Sequence, residues 1–487
     1  MRSKKLVTAT LWVSAVVLFT GSLCAQKDPG PRSGAAGAGS PIAGLSADQL
    51  RFFNDGATRF NSPDTVSSGL GPTFNGDFCG TCHSQPAEGG TAPATNPQVA
   101  LASAHGASNT VPSFIYVNGP VREARFKYQL NADGTPNPRL ADGGVHDLFT
   151  IAGRDDAPGC TAAQLPQPNF AQALATNNVI FRVPTPVFGG GLIENIAEAT
   201  ILANMNANAS AKLALGITGH VNRSGNDGTI TRFGWKAQNK SLLMFSGEAY
   251  NVEVGVTNEM FPDERGGAPA SCLSNPTPED QTNFVPNGAI SPPFTQAFNP
   301  PLTGVDDTQV NSDITAFAIF MRFLDQPTPS CTGTACSASI QDGNTQFQAV
   351  GCALCHTPSM TTTGSNFAPA ALGNVQVNLF SDLLVHDMGS VLADDITQGN
   401  ANGRQFRTAP LWGVGQRLYF LHDGRTSDLL QAIQAHSDCN GPGGGQAQTG
   451  VFRRSGGCSS EANRVINNFN ALTPSQQQDI LNFLRSL

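Results

Sequence analysis

Apolar residues recur with helical spacing in four segments of the chain. The four segments are residues 45–53, 313–323, 339–350 and 472–484. The last of them places Thr473 at a capping position and Pro474 at the first helical position, which is the usual start of a helix. Apolar and polar residues alternate enough in segments 113–117 and 177–182 to allow short strands there. The pattern predicts a mainly α fold with much irregular loop.

The helical segments are arranged in the same order twice. The helices at 45–53 and 339–350 each lead into a C-x-x-C-H sequence, and those at 313–323 and 472–484 each close the long segment that follows. We therefore expect two domains, residues 45–325 and 338–487, with residues 26–44 as a linker. The first domain is large enough to need long loop insertions.

Composition agrees with this loop-rich picture. Charged residues make up only 13% of the 487 residues, and there are 52 glycines and 33 prolines. An average chain has about 25% charged residues. The net charge of −8 argues against nucleic acid as a partner, because nucleic-acid binding needs a basic surface.

The first 25 residues have the pattern of a secretory signal peptide. Arg2, Lys4 and Lys5 form a basic head, an apolar stretch follows, and Ala25 is a small residue at the expected cleavage site. An uncleaved anchor is the alternative. No other segment is long and apolar enough to span a bilayer. We expect a periplasmic or otherwise exported protein that is not an integral membrane protein.

Eleven cysteines are present, and Cys24 belongs to the predicted signal peptide. Four more belong to the C-x-x-C-H sequences, which leaves Cys160, Cys272, Cys331, Cys336, Cys439 and Cys458. An even remainder in an exported chain favours disulfides, although six cysteines allow 15 pairings. Proximity along the chain favours Cys331–Cys336 and Cys439–Cys458, and Cys160–Cys272 then remains.

The two C-x-x-C-H sequences are attachment motifs for haem c. They consist of Cys79, Cys82 and His83, and of Cys352, Cys355 and His356. Two thiols at this spacing reach the two vinyl groups of one porphyrin, and the following histidine lies under the iron as its proximal ligand. A zinc ribbon would need two further cysteines in the same form, and the chain lacks them. We therefore expect two covalently bound haem c groups.

Several other motifs resemble the di-haem oxidoreductase family. They are residues 70–75, 85–90, 182–189, 191–194, 232–237, 386–389, 406–412 and 420–425. This family is similar to bacterial di-haem cytochrome c peroxidases, which implies two cytochrome c-like domains, a peroxidatic N-terminal haem and an electron-receiving C-terminal haem. In those enzymes a glutamate works over the open haem, and Glu253 matches it. Glu194 is the next candidate. Trp235 is a candidate electron relay between the haems.

The sixth iron ligands are left open by the sequence. The peroxidases place a methionine before His-Asp-Gly, whereas this chain has Leu421, which cannot bind iron. His422, Met388 and His386 are nearby substitutes for the second haem. The first haem could be closed by His105, His146 or His220, and His436 is expected at the surface.

Three functions fit these residues. The first is a peroxidase, which would take electrons from a small cytochrome c or cupredoxin and reduce hydrogen peroxide. The second is an electron carrier with both irons six-coordinate, and the third is a haem-dependent oxygenase. Similar peroxidases hold calcium, but the sequence locates no calcium site here.

Overall fold

The computed structural model describes residues 26–282, 311–364, 368–439 and 458–487. Its helices are α1 (Ala47–Phe60), α2 (Cys79–Cys82), α3 (Gln98–Leu101), α4 (Phe170–Ala175), α5 (Gly190–Glu194), α6 (Glu198–Asn206), α7 (Ala209–Leu215), α8 (Leu242–Ala249), α9 (Asp313–Phe323), α10 (Ala338–Val350), α11 (Leu429–Gln434), α12 (Asn463–Asn470) and α13 (Pro474–Ser486). A π-helical turn, Tyr250–Val254, extends α8.

The strands are short and form small antiparallel sheets. They are β1 (Thr73–Phe74), β2 (Glu123–Phe126), β3 (Tyr128–Leu130), β4 (Pro136–Ala141), β5 (Val145–His146), β6 (Phe149–Thr150), β7 (Val179–Arg182), β8 (Asn222–Arg223), β9 (Ile230–Thr231), β10 (Met360–Thr361), β11 (Gln376–Val377), β12 (Val385–Asp387) and β13 (Gln405–Arg407). One sheet has three strands in the order β5-β2-β7, and the pairs β1-β6, β3-β4, β8-β9, β10-β11 and β12-β13 form two-stranded sheets.

The prediction of a mainly α fold is wrong. Only 32% of the structure is helical and 12% is strand, so irregular chain dominates, and the architecture does not establish the expected cytochrome c-like haem domains. The four predicted helices are confirmed as α1, α9, α10 and α13. The strand expected at 177–182 is confirmed as β7, whereas residues 113–117 form turns. Most of the missed strands have two residues, too few to show an alternating pattern.

The predicted helices pack in two pairs, each crossing at a glycine. In the pair α1 and α9, a Cβ on Gly56 would lie 2.4 Å from the Ala316 carbonyl oxygen. In the pair α10 and α13, a Cβ on Gly343 would lie 2.0 Å from the Asp479 carbonyl oxygen. Glycine therefore lets both pairs approach backbone to backbone. The same packing occurs beside each C-x-x-C-H sequence.

One buried ionic network and one carboxylate–amide contact join the N-terminal half (45–325) to the C-terminal half (338–487). In the first, Asp394 bonds Arg182 at 2.7 Å and Lys236 at 3.0 Å, and all three side chains are buried. In the second, Glu461 accepts hydrogen bonds from the backbone amides of Thr218 and Gly219, at 2.8 and 2.9 Å. Both contacts therefore connect residues of one half to residues of the other.

Residues 26–42, which we call the N-terminal strap, run along the C-terminal half and onto α9. Asp28 forms a two-bond ion pair with Arg485 of α13 and accepts a hydrogen bond from the Leu429 amide at the start of α11. The Ile42 amide donates to the Phe323 carbonyl oxygen at 2.7 Å. The division into domains at 45–325 and 338–487 stays a prediction.

The six remaining cysteines lie in three bonded pairs in the structure, Cys160–Cys272, Cys331–Cys336 and Cys439–Cys458. The other four described cysteines, those of the C-x-x-C-H sequences, form no disulfide. Within the described ranges, no helix is long and apolar enough to cross a membrane. The predicted signal peptide, residues 1–25, lies outside the described residues.

Candidate functional site

The first C-x-x-C-H sequence opens onto a cavity in the N-terminal half, which we call the N-terminal cavity. Helix α2 carries Cys79 and Cys82, and both thiols and His83 line the cavity. The His83 Nδ1 lies 3.0 Å from the Gly90 carbonyl oxygen. Burial lowers the pKa of His83 to about 4, so the imidazole is neutral at physiological pH. A neutral imidazole held through Nδ1 has its Nε2 available as a metal ligand.

The second sequence lines a separate C-terminal cavity in the same manner. Cys352, Cys355 and His356 face it, and the His356 Nδ1 lies 3.0 Å from the Phe380 carbonyl oxygen. Burial lowers the pKa of His356 to about 4, and repulsion by His436 acts in the same direction. Both histidines therefore present the same neutral, pre-oriented imidazole.

Most of the C-terminal cavity wall is apolar, but two cations face it. Arg407 and Arg417 are both buried, and Arg407 donates to the Gly234 carbonyl oxygen at 2.9 Å. Burial lowers the pKa of each guanidinium to about 10. Neither is paired with a carboxylate among the described residues. This set of groups fits a haem. The two thiols suit its vinyl groups, the neutral histidine suits its iron, and the unpaired guanidinium groups suit its propionate carboxylates.

The N-terminal cavity has a polar side, and Glu253 forms part of it. The π-helical turn after α8 presents Glu253 to the cavity, and such turns are frequent at functional sites. Its backbone carbonyl is fixed by the amides of Asn75 and Gly76, at 2.7 and 3.0 Å. Burial raises the pKa of the Glu253 carboxyl to about 8, with repulsion from Glu123 adding to the effect. Glu253 therefore exchanges a proton near neutral pH, as a general acid–base catalyst must.

Trp235 lies between the two cavities and lines both of them. The indole nitrogen donates to the Val183 carbonyl oxygen at 2.9 Å. The next residue, Lys236, is fully buried against Asp394 and lies over the Phe406 ring at 4.0 Å. These contacts hold the indole in the wall shared by both sites.

Comparison with known proteins identifies the family. Residues 141–448 match the family described as "Di-haem oxidoreductase, putative peroxidase", which is more than half of the chain. The chain belongs to the di-haem oxidoreductase family. The match includes Trp235, Glu253 and the second C-x-x-C-H sequence, whereas the first lies upstream of it. Haem is thus the cofactor of this oxidoreductase.

Solved structures add little to this assignment. Hydrazine synthase of Kuenenia stuttgartiensis, pressurised with xenon, aligns over 100% of both chains at 11% identity with a TM-score of 0.31. A MauG-like protein associated with microbial copper homeostasis aligns over 61% of this chain and 91% of its own, at 14% identity with a TM-score of 0.28. No curated protein shows significant similarity to this oxidoreductase.

The structure brings His422, Met388 and His386 to the wall of the C-terminal cavity. His422 stacks on Phe406, with ring centroids 4.4 Å apart, and meets Trp235 edge-on at 6.4 Å. His386 is held at both ring nitrogens, by Asp382 at 2.9 Å and by Glu461 at 2.8 Å. Because both nitrogens are occupied, His386 has none free for iron.

His436 also lines the C-terminal cavity, although the sequence interpretation placed it at the surface. Its Nδ1 lies 2.8 Å from the Ala432 carbonyl oxygen. A signal for this position was present in the sequence, because Leu429, Ala432 and His436 follow at helical spacing and the first two are buried. The histidine therefore continues the inward face of α11 beyond its last turn.

Glu194 lies outside both cavities. It pairs with Arg322 through two bonds, at 2.6 and 3.3 Å, and accepts from the Leu242 amide at the start of α8. These contacts join α5, α8 and α9, which is a structural role.

The histidines that could close the first haem also lie elsewhere. His105 pairs with Asp155 at 3.4 Å, His146 lies 3.1 Å from Asp142, and the His220 Nδ1 lies 3.1 Å from the Val221 carbonyl oxygen. Among the described residues, His83 is the only histidine that lines the N-terminal cavity.

Proposed function

We propose that this di-haem oxidoreductase is an exported peroxidase with two haem c groups. Cys79 and Cys82 would hold one haem with His83 as its ligand, and Cys352, Cys355 and His356 would hold the other in the same way. The observation that carries the proposal is the position of Trp235, whose indole lines both cavities. A shared aromatic wall suits one-electron transfer between two sites that act together.

The two cavities differ in polarity, and this difference supports different roles for the two haem sites. Glu253 and the ion pair of Arg125 with Glu123, at 2.9 Å, line the N-terminal cavity, whereas the C-terminal cavity is largely apolar. A haem held in the N-terminal cavity by Cys79, Cys82 and His83 would supply the redox chemistry for peroxide. Reduction of peroxide also needs proton movement. Among the described residues, the cavity-lining carboxyl with a pKa near neutral pH is that of Glu253, in the N-terminal cavity.

Glu253 moves the proton. Its carboxylate accepts a proton from one peroxide oxygen, and the resulting carboxyl donates it to the other oxygen as the O–O bond breaks. Two electrons and two protons convert one hydrogen peroxide into two waters. A small cytochrome c or cupredoxin supplies the electrons one at a time, and they enter through the C-terminal site and pass Trp235.

Two measurements on the haem-loaded protein test the proposal. We expect low-temperature electron paramagnetic resonance of the oxidised protein to show one high-spin ferric haem beside one low-spin haem, and reduced cytochrome c to be oxidised when peroxide is added. Two low-spin haems in both the resting and half-reduced states would identify an electron carrier instead. Oxygen consumption without peroxide turnover would identify an oxygenase.

A further inference from the structure

Three histidines share one arrangement at the haem cavities. His83, His356 and His436 each line a cavity, and each has its Nδ1 within 3.0 Å of a backbone carbonyl oxygen. Metal-binding histidines nearly always donate their second ring N–H in this manner, which fixes the tautomer and directs Nε2 to the metal. Two of the three belong to C-x-x-C-H sequences. The third has no such motif to explain it.

His436 lines the same cavity as His356. It is also firmly placed. Its backbone carbonyl accepts from the Ser460 hydroxyl at 2.6 Å, and its amide donates to the Ile433 carbonyl oxygen at 3.2 Å. The Cys439–Cys458 bond follows three residues later. A ligand on such a support is held in position before the metal binds.

The other donors of the C-terminal cavity are placed less favourably. Both ring nitrogens of His386 are engaged by carboxylates. His422 is packed between Phe406 and Trp235, and no hydrogen bond to a described residue sets its tautomer. Met388 lines the cavity, but its thioether has no second heteroatom through which the protein could orient it.

We propose that His436 is the sixth ligand of the C-terminal haem iron, which His356 also ligates. The inference rests on the haem attachment proposed above. Ligation by two histidines lowers the reduction potential relative to the Met/His pair that the related peroxidases imply. His422 would then pack against Phe406 and Trp235 without ligating the iron.

The test uses the full-length, haem-loaded protein and its variants His436→Ala, His422→Ala and Met388→Ala. Near-infrared magnetic circular dichroism distinguishes low-spin ferric haem with two histidines from haem with histidine and methionine. We expect the two-histidine band in the wild type, its loss in His436→Ala, and its retention in the other two variants. His436→Met should remain low-spin, acquire the histidine–methionine band and raise the midpoint potential of that haem.

A histidine–methionine band in the wild type would overturn the inference without any variant, and so would the absence of low-spin haem. Loss of the two-histidine band in His422→Ala with retention in His436→Ala would overturn it as well. If His436→Ala does not fold, His436→Met decides, because an unchanged band there contradicts the assignment. Failure of peroxide turnover with the expected bands would refute only the proposed function, whereas absence of bound haem would refute both.

Discussion

Substitution of Glu253 by glutamine tests the proton-transfer step directly. The side chain keeps its size but cannot accept a proton. With a pKa of about 8, the carboxyl is ionised in about one molecule in ten at pH 7 and in nearly all above pH 9. The rate of peroxide reduction should therefore rise with pH through about 8 and then level off. General acid–base catalysis contributes about 10²–10⁴-fold, so Glu253→Gln should lose that factor on the plateau. At pH 7 the loss should be about tenfold smaller, because the wild type is itself mostly protonated there.

The assay is stopped-flow oxidation of reduced cytochrome c by peroxide from pH 5.5 to 9.5, with rates expressed per bound haem. Glu194→Gln is the matched control, because Glu194 lies outside both cavities and pairs with Arg322. It should keep the wild-type rate and pH profile while lowering the melting temperature. If Glu253→Gln keeps the pH-dependent rise and the plateau rate, Glu253 is not the proton carrier.

Four further outcomes follow from the same contacts. Glu123→Gln removes a repulsion that raises the Glu253 pKa, so the rise in rate should move to lower pH; an unmoved profile would argue against that coupling. Trp235→Phe should slow electron transfer between the haems in flash photolysis while both stay bound. Arg417→Gln should lower one of the two midpoint potentials in a redox titration, since a buried positive charge near a haem favours its reduced form. Gly343→Ala should lower the free energy of unfolding, which a lower melting temperature would show. Overpacking costs about 1–3 kcal/mol, and the better helix propensity of alanine offsets about 1 kcal/mol of that cost.

The sequence predicted the elements that carry a strong local signal. The four amphipathic helices were found because their apolar periodicity and caps are local properties, and the C-x-x-C-H sequences were recognised for the same reason. The fold class was wrong because most strands are two residues long and are stabilised by distant partners, such as Thr73 with Thr150. No window of sequence contains that pairing.

Which candidate residues lie at the site also depends on contacts between distant segments of the chain. The sequence singled out Glu253 and Trp235 by resemblance, and the structure places both at the N-terminal cavity. It ranked Glu194 beside them, although an ion pair from α9 occupies that carboxylate. It placed His436 at the surface, although this histidine follows Leu429 and Ala432 at helical spacing. That spacing says only that the three residues share a face, and the packing of α11 shows that this face lines the C-terminal cavity.

The N-terminal strap has a consequence for the order of assembly. Gln26 and Asp28 contact Gln477 and Arg485, which lie 451 and 457 residues later in the chain. The first described residues therefore cannot reach their final positions until the last helix has been synthesised. Every shorter stretch of the chain lacks this closure, and contacts so distant in sequence form slowly. A chain that ends before α13 would lack the Asp28–Arg485 ion pair, and the C-terminal cavity would lose Ile480 and Leu484 from its wall.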